Sequence, residues 1–90
     1  MVNIKIPASL RKFVQNQDTV EVEATTVGQA LDALESKHPG VKAKLCDDQG
    51  NVRRFINLYA NGEDVRFLDN LETPLAAGAE LQIVPAIAGG

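Results

Sequence analysis

Two stretches near the start of the chain alternate between apolar and polar residues, which is the pattern of strands with one buried face. The first covers residues 2–6 and is closed by Pro7, and the second covers residues 19–24. Residues 8–17 between them are mixed and predict a short helical turn or a packed loop. The pattern therefore predicts two strands joined as a hairpin with a long connection.

The apolar spacing changes to a helical period after residue 26. Thr26 and Gln29 have the spacing of a capping box, in which two side chains bond the free backbone N–H groups at the start of a helix. Pro39 ends the pattern, because a proline disfavours helical geometry at the residue before it. The apolar positions at i, i+3, i+4 and i+7 are Val27, Ala30, Leu31 and Leu34. We expect one helix whose aliphatic face covers the sheet.

The second half of the chain predicts further strands. Residues 41–54 have no regular period and predict a loop. Phe55–Ala60 has a strand pattern and is followed by Asn61-Gly62, a pair typical of a type I′ hairpin turn because both central positions need a positive φ. A short returning strand is expected over residues 64–67.

The order of these elements predicts the architecture. A connector over residues 68–75 leads to a last strand over residues 80–84. The first and last strands are mostly aliphatic, which suits neighbouring central positions in a sheet. We therefore predict an α+β protein of the β-grasp (ubiquitin-like) type, with a mixed sheet packed on one main helix. The β-grasp domain would cover residues 1–86, and residues 87–90 would form a flexible C-terminal tail.

The tail offers one kind of chemistry. Pro85 cannot donate to a strand ladder, and the chain then runs through small residues to Gly89 and Gly90. Glycine permits close backbone approach, so such a tail can enter a narrow slot on another protein. A terminal carboxylate, with a pKa of about 3.3–3.7, is ionised at neutral pH and can attack the α-phosphate of ATP. Nothing in the tail could catalyse that step, so a separate enzyme is required. The alternative interpretation is that the last residues are an inert, frayed chain end.

Composition excludes several classes of function. The net charge is −3 and the pI is near 5.0, which argues against nucleic-acid binding. One cysteine, Cys46, and one histidine, His38, exclude an internal disulfide and a cysteine-rich metal site, so we expect no bound metal or cofactor. We find no signal-peptide pattern and no apolar run that could span a membrane, so a cytoplasmic protein is expected.

Several segments of the second half resemble one known family. Residues 55–67 resemble the corresponding hairpin of the ThiS/MoaD sulfur-carrier proteins. Thr73-Pro74-Leu75, Gly78 and residues 84–90 look like the rest of that family's C-terminal half. The first half matches mainly by its pattern of strands and helix. The combination of the hairpin, Thr-Pro-Leu and the terminal Ala-Gly-Gly is specific for the family. It is only a weak indicator of which of the family's pathways the protein serves.

The resemblance implies a protein cosubstrate and not an enzyme. An E1-like (MoeB/ThiF-type) enzyme, using ATP and Mg, would adenylate the carboxylate of Gly90, with Gly89 as a spacer. Sulfide or a persulfide donor would convert it to a thiocarboxylate that passes sulfur to a synthase, and an enzyme resembling cysteine synthase is favoured. The small subunit of molybdopterin synthase, a ubiquitin-like modifier joined to lysines, and an interaction module with an inert tail remain open.

A docking patch is expected where the tail leaves the sheet. If alternate residues of the strands face the helix, Phe55, Tyr59 and Val84 face outward and would contact the partner. The tail residues that would enter the partner's slot are Pro85, Ala86, Ile87 and Ala88. Cys46 could carry sulfur as a persulfide, but a lone cysteine is more often a small buried hydrophobe.

Overall fold

The computed structural model describes residues 1–85, and these form a five-stranded sheet with one long helix on one face. Short 3₁₀ helices at Ala8–Val14, Val65–Phe67 and Asn70–Glu72 lie in the connections. The strands and α-helices are β1 (Val2–Lys5), β2 (Thr19–Val22), α1 (Val27–Lys37), α2 (Lys42–Leu45), β3 (Ile56–Ala60), β4 (Glu63–Asp64) and β5 (Glu80–Pro85). None of the helices within residues 1–85 is long and apolar enough to cross a membrane.

The sheet has the order β2-β1-β5-β3-β4. Only the central pair β1 and β5 is parallel; the other neighbouring pairs are antiparallel. The predicted adjacency of the first and last strands is therefore confirmed, as is the mixed β-grasp sheet. β5 pairs with β1 as far as Gln82 and with β3 as far as Pro85, so its last residue, Pro85, is held by β3 alone, opposite Ile56.

The start of α1 shows how the sequence sets its position. Thr26 Oγ1 accepts a hydrogen bond of 3.1 Å from the backbone N–H of Gln29, as the capping box predicts. The Gln29 side chain reaches one residue further back than expected and accepts from both the N–H and the hydroxyl of Thr25. The helix ends at Lys37, with His38 as its C-cap, directly before Pro39.

The aliphatic face of α1 packs into a single core. Leu34 is fully buried, and its helix neighbours Val27, Ala30 and Leu31 are buried with it. The same cluster contains the inward residues of four strands, among them Ile4, Val22, Leu58 and Ile83. These are the residues that the apolar periodicities assign to the core.

Four strand predictions differ from the structure at one end. β1 stops at Lys5 and not at residue 6, and β5 continues to Pro85, one residue beyond the predicted end. β2 stops at Val22 and not at residue 24, and β3 begins at Ile56, one residue after Phe55. The Asn61-Gly62 turn forms as predicted, with φ of 51° and 90°.

The returning strand predicted over residues 64–67 is also wrong, since β4 contains only Glu63 and Asp64. The carboxylate of Asp64 accepts from the backbone N–H of Arg66 at 2.9 Å and pairs with its guanidinium at 2.7 Å. These bonds turn the chain into the 3₁₀ helix Val65–Phe67, which breaks the ladder with β3.

The region predicted as a loop over residues 41–54 is partly ordered. It contains the one-turn helix α2, followed by an isolated bridge between Cys46 and Val52. The Asp47 carboxylate accepts from the backbone N–H groups of Gln49 and Asn51 and so closes the turn between them. Side-chain bonds of this kind leave no periodic apolar signal, so the pattern could not reveal them.

Candidate docking surface at the root of the C-terminal tail

The pairing of β3 with β5 builds the surface from which the tail departs. In this antiparallel register Asn57 lies opposite Val84 and Tyr59 lies opposite Gln82. Directly opposed residues have Cβ atoms about 4.5–5.5 Å apart on one face of the sheet. The alternate pair, Leu58 and Ile83, is buried on the helix side. Tyr59 and Val84 are therefore brought together on the outward face, both half-buried.

Polar groups interrupt the apolar part of this face. Gln82 is exposed between Tyr59 on β3 and Lys5 on β1, each of which is paired with it in register. Phe55 is 45% exposed but precedes the strand, in a turn closed by the bond from Ile56 N–H to the Arg53 carbonyl at 2.9 Å. The strand register therefore does not extend to Phe55. The predicted docking role of Tyr59, Val84 and Phe55 stays a prediction.

A groove of about 360 Å³ opens beside Val84 and Pro85, and we call it the root groove. Its charged and polar wall is formed by Lys5, Arg11, Asp18 and Gln82, with Val84 and Pro85 at the β5 side. Arg11 comes from the 3₁₀ helix that follows β1 and is held by a 3.3 Å bond from its Nε to the carbonyl of Ile6. The groove thus combines residues of the β1–β2 connection with the end of β5.

A second, larger concavity lies between the loop before β3 and the two later 3₁₀ helices. Its volume is about 580 Å³, and its apolar lining includes Ile56, Leu58, Val65 and Leu71. Two of its arginines are engaged within the chain: Arg66 pairs with Asp64, and Arg53 donates to the carbonyl of Ala43 at 3.1 Å. None of the described residues that line it belongs to β5.

The potential metal ligands within residues 1–85 do not come together. No group of three or more His, Cys, Asp or Glu within these residues is arranged to hold a metal ion. Cys46 is only 4% exposed, and burial raises the pKa of its thiol, which disfavours the reactive thiolate. Cys46 is therefore a small core residue, as the lone-cysteine interpretation predicts, and His38 serves as the C-cap of α1.

The predictions that depend on the end of the chain lie outside the described residues. They concern Ala86, Ile87, Ala88, Gly89 and Gly90, together with the domain boundary at residue 86. What the structure fixes is the starting point of that segment, Pro85, at the end of β5 and opposite Ile56 of β3.

The ThiS family model matches residues 4–90 of the chain, which includes the second half of β1, all later elements and the final glycines. The chain belongs to the ThiS family. The family resemblance stated on the hairpin, the Thr-Pro-Leu segment and the glycine end is confirmed.

Full-length ThiS-family relatives agree with this assignment. The chain is 38% identical to the sulfur carrier protein CysO of Mycobacterium tuberculosis, over 99% of this chain and 98% of that protein. It superposes on a chain of the Amycolatopsis orientalis BexX/CysO complex with a TM-score of 0.93 and 42% identity, covering 100% of both. The small archaeal modifier SAMP1 of Haloferax volcanii gives a TM-score of 0.83 at 35% identity, over 99% of this chain and 98% of that one.

The root groove is the feature that sequence reasoning missed. Part of it could have been predicted. The alternation along β1 places Lys5 on the outward face, and β1 was expected beside β5. The position of Arg11 could not be derived, since residues 8–17 have no clear period and the 3₁₀ helix there was only one of two alternatives.

Proposed function

We propose that this chain is a sulfur carrier protein, a cosubstrate on which an ATP-dependent enzyme acts. The observation that carries the proposal is the family match, which runs through Gly90 and is accompanied by 38% identity to CysO over nearly the whole of both proteins. In this reading the reactive group is the backbone carboxylate of Gly90, and Gly89 is its spacer.

The reaction proceeds in two steps on the enzyme. A carboxylate oxygen of Gly90 attacks the α-phosphorus of Mg-ATP and displaces pyrophosphate, which gives an acyl-adenylate. A sulfur nucleophile, hydrosulfide or a persulfide, then attacks the acyl carbon and AMP leaves. With hydrosulfide, the terminal carboxylate has exchanged one oxygen for sulfur and has become a thiocarboxylate. The carrier needs no resident cofactor, because the partner supplies ATP, Mg and the adenylation site.

The fold supports this role by fixing the place where the reactive segment begins. Pro85 ends a strand that pairs with β1 on one side and β3 on the other. Residues 86–90 can then span at most about 18 Å from Pro85 to the Gly90 carboxylate, at about 3.3–3.6 Å per residue. The partner must therefore hold its ATP site within that distance of the root groove.

The partners follow from the same chemistry. An E1-like enzyme of the MoeB/ThiF type adenylates the carrier, and a sulfur-accepting synthase consumes the thiocarboxylate. Similarity to CysO favours a cysteine-synthase-like acceptor.

A second candidate is conjugation as a ubiquitin-like modifier, which the 35% identity and TM-score of 0.83 to SAMP1 support. Both functions share the adenylate and differ in the nucleophile that resolves it. Sulfur gives a thiocarboxylate, whereas a lysine amine of a target protein gives an isopeptide bond.

Mass spectrometry of the C-terminal peptide tests the proposal. With an E1-like enzyme, Mg-ATP and sulfide, one oxygen of the Gly90 carboxylate should be replaced by sulfur. Cys46→Ala should be modified as well as the parent chain, because the reactive carbon belongs to the backbone. Isopeptide-linked peptides instead of a thiocarboxylate would select the modifier function.

Two length variants give the matched controls. Deleting Gly90, or adding one alanine after it, moves the carboxylate by about 3.3–3.6 Å. A displacement of that size should abolish a reaction that depends on positioning. Modification of the Gly90 deletion at the parent's rate would contradict the assignment of the reactive group.

A further inference from the structure

We propose that the root groove binds carboxylate side chains on the activating enzyme, at the mouth of the channel that receives residues 86–90. The proposal rests on the proposed function and adds to it the chemistry of the surface that recognises the carrier. The occupant is an acidic rim of the enzyme, and the two cations that meet it are Lys5 and Arg11.

The position of the groove places it close to the enzyme during the reaction. Val84 and Pro85 form part of its wall, so the groove adjoins the point from which the chain continues toward Gly90. Five residues reach at most about 18 Å when fully extended. An enzyme that reacts with the Gly90 carboxylate therefore brings its own surface up to the root groove.

The cations of the groove have no ion-pair partner within residues 1–85. Over that range, neither the Lys5 ammonium nor the Arg11 side chain lies in a salt bridge, whereas Lys42 is paired with Asp32 and Arg66 with Asp64. Arg11 uses its Nε to bind the Ile6 carbonyl, which fixes the side chain at the groove. Its terminal nitrogens make no hydrogen bond to any residue in the described range, and they supply the planar fork that suits a carboxylate.

The charge of the groove also has the opposite sign to that of the whole protein. Asp18 is the one acidic residue in the lining, against Lys5 and Arg11, so the groove has an excess of one positive charge. The whole chain has a net charge of −3. A local reversal of sign at the root of the reactive segment favours a partner surface with carboxylates, because complementary charges guide encounter and fix orientation.

The test measures adenylation by pyrophosphate release, with Mg-ATP saturating and the carrier concentration varied, using the E1-like enzyme that processes the wild-type chain. Lys5→Glu places a repulsive charge in the groove at an exposed position. Lys44→Glu is the matched control, because it changes the net charge equally at an exposed residue that does not line the groove. We expect kcat/KM for Lys5→Glu to fall about tenfold at low ionic strength, through KM, and for Lys44→Glu to change less than about twofold.

Salt and a second variant complete the test. The defect of Lys5→Glu should shrink as ionic strength rises toward about 1 M, where the screening length is about 3 Å. Arg11→Gln should show a smaller defect of the same kind, with the thermal unfolding curve of each variant confirming the fold.

Three outcomes would overturn the inference. Equal effects of Lys5→Glu and Lys44→Glu would mean that only net charge matters, and no effect of either would remove the groove from recognition. A rise in kcat/KM would mean that the groove instead holds the chain's own terminal carboxylate. In each case the proposed function would still hold as long as the wild-type chain is adenylated. If no E1-like enzyme of the source organism adenylated the wild-type chain, both the proposed function and the inference about the groove would be wrong.

Discussion

Truncation of Leu34 to alanine tests whether the helix face supports β5, the strand from which the proposed reactive segment continues. Leu34 is 0% exposed, in the core cluster that also contains Leu58, Leu81 and Ile83. The change removes three carbons, which is about 2.4 kcal/mol of transfer free energy at about 0.8 kcal/mol per carbon. A cavity term adds to this, so the free energy of unfolding should fall by about 2–5 kcal/mol.

The loss is large for a chain of this size. For a domain of 60–100 residues, 1 kcal/mol moves the melting temperature by about 4–8 °C. A loss near 3 kcal/mol therefore predicts a decrease of about 12–24 °C. Ser36→Ala is the control, because Ser36 is exposed on the same helix and its replacement removes no buried carbon.

Urea denaturation followed by far-UV circular dichroism gives both quantities. The Leu34→Ala midpoint should drop while the slope m stays that of the wild-type chain, since the surface exposed on unfolding hardly changes. A midpoint equal to that of Ser36→Ala would show that the helix face has been assigned wrongly. The thiocarboxylate yield at 20 °C should survive the change, because the chemistry does not use Leu34.

Three further predictions concern the docking face, a buried carboxylate and a turn. Tyr59→Glu and Val84→Glu should each raise KM for adenylation without unfolding the chain, because each places a charge on a contact that loses water; unchanged kinetics for both would exclude that face. Arg66 and its backbone N–H lower the pKa of Asp64 in the folded state, so this carboxylate stabilises the fold above its unfolded pKa, and the contribution is lost as pH falls through the lower folded value. Acid titration of Asp64→Asn should therefore show a shallower loss of stability below about pH 4 than the wild-type chain does. Gly62→Ala should destabilise the fold by about 1–2 kcal/mol in thermal unfolding, because φ is 90° at this residue. No atom crowds the added carbon, so the cost comes from the backbone conformation alone. A stability equal to wild type would contradict the turn geometry.

The sequence predicted best those elements whose signal is periodic. The capping residue and the apolar spacing predicted α1, and the aliphatic character of the first and last strands predicted that β1 and β5 are neighbours. The failures occur where side-chain hydrogen bonds override the period. Asp64 ends β4 by binding Arg66, and its apolar neighbours Val65 and Phe67 still resemble a strand in sequence.

The candidate site was predicted only in part for a related reason. Alternation along β3 and β5 correctly placed Tyr59 and Val84 on the face opposite the helix. It could not assign Phe55, because the turn bond between Ile56 and Arg53 starts the strand one residue later. The root groove requires a residue from an aperiodic segment, Arg11, to lie against the end of β5, and that contact is a product of tertiary packing.

In the proposed function, the chemical reaction and the recognition of the partner take place on different parts of the chain. In the proposed mechanism the reactive atoms belong to the backbone of the last residue, so the folded part of the chain would have no catalytic role. Its tasks are to hold Pro85 at a fixed place and to present a surface that the partner accepts. Core substitutions such as Leu34→Ala should therefore act through stability, whereas substitutions at Lys5 or Tyr59 should act through KM. A core variant that raised KM at a temperature where it is fully folded would show that the two tasks are coupled through β5.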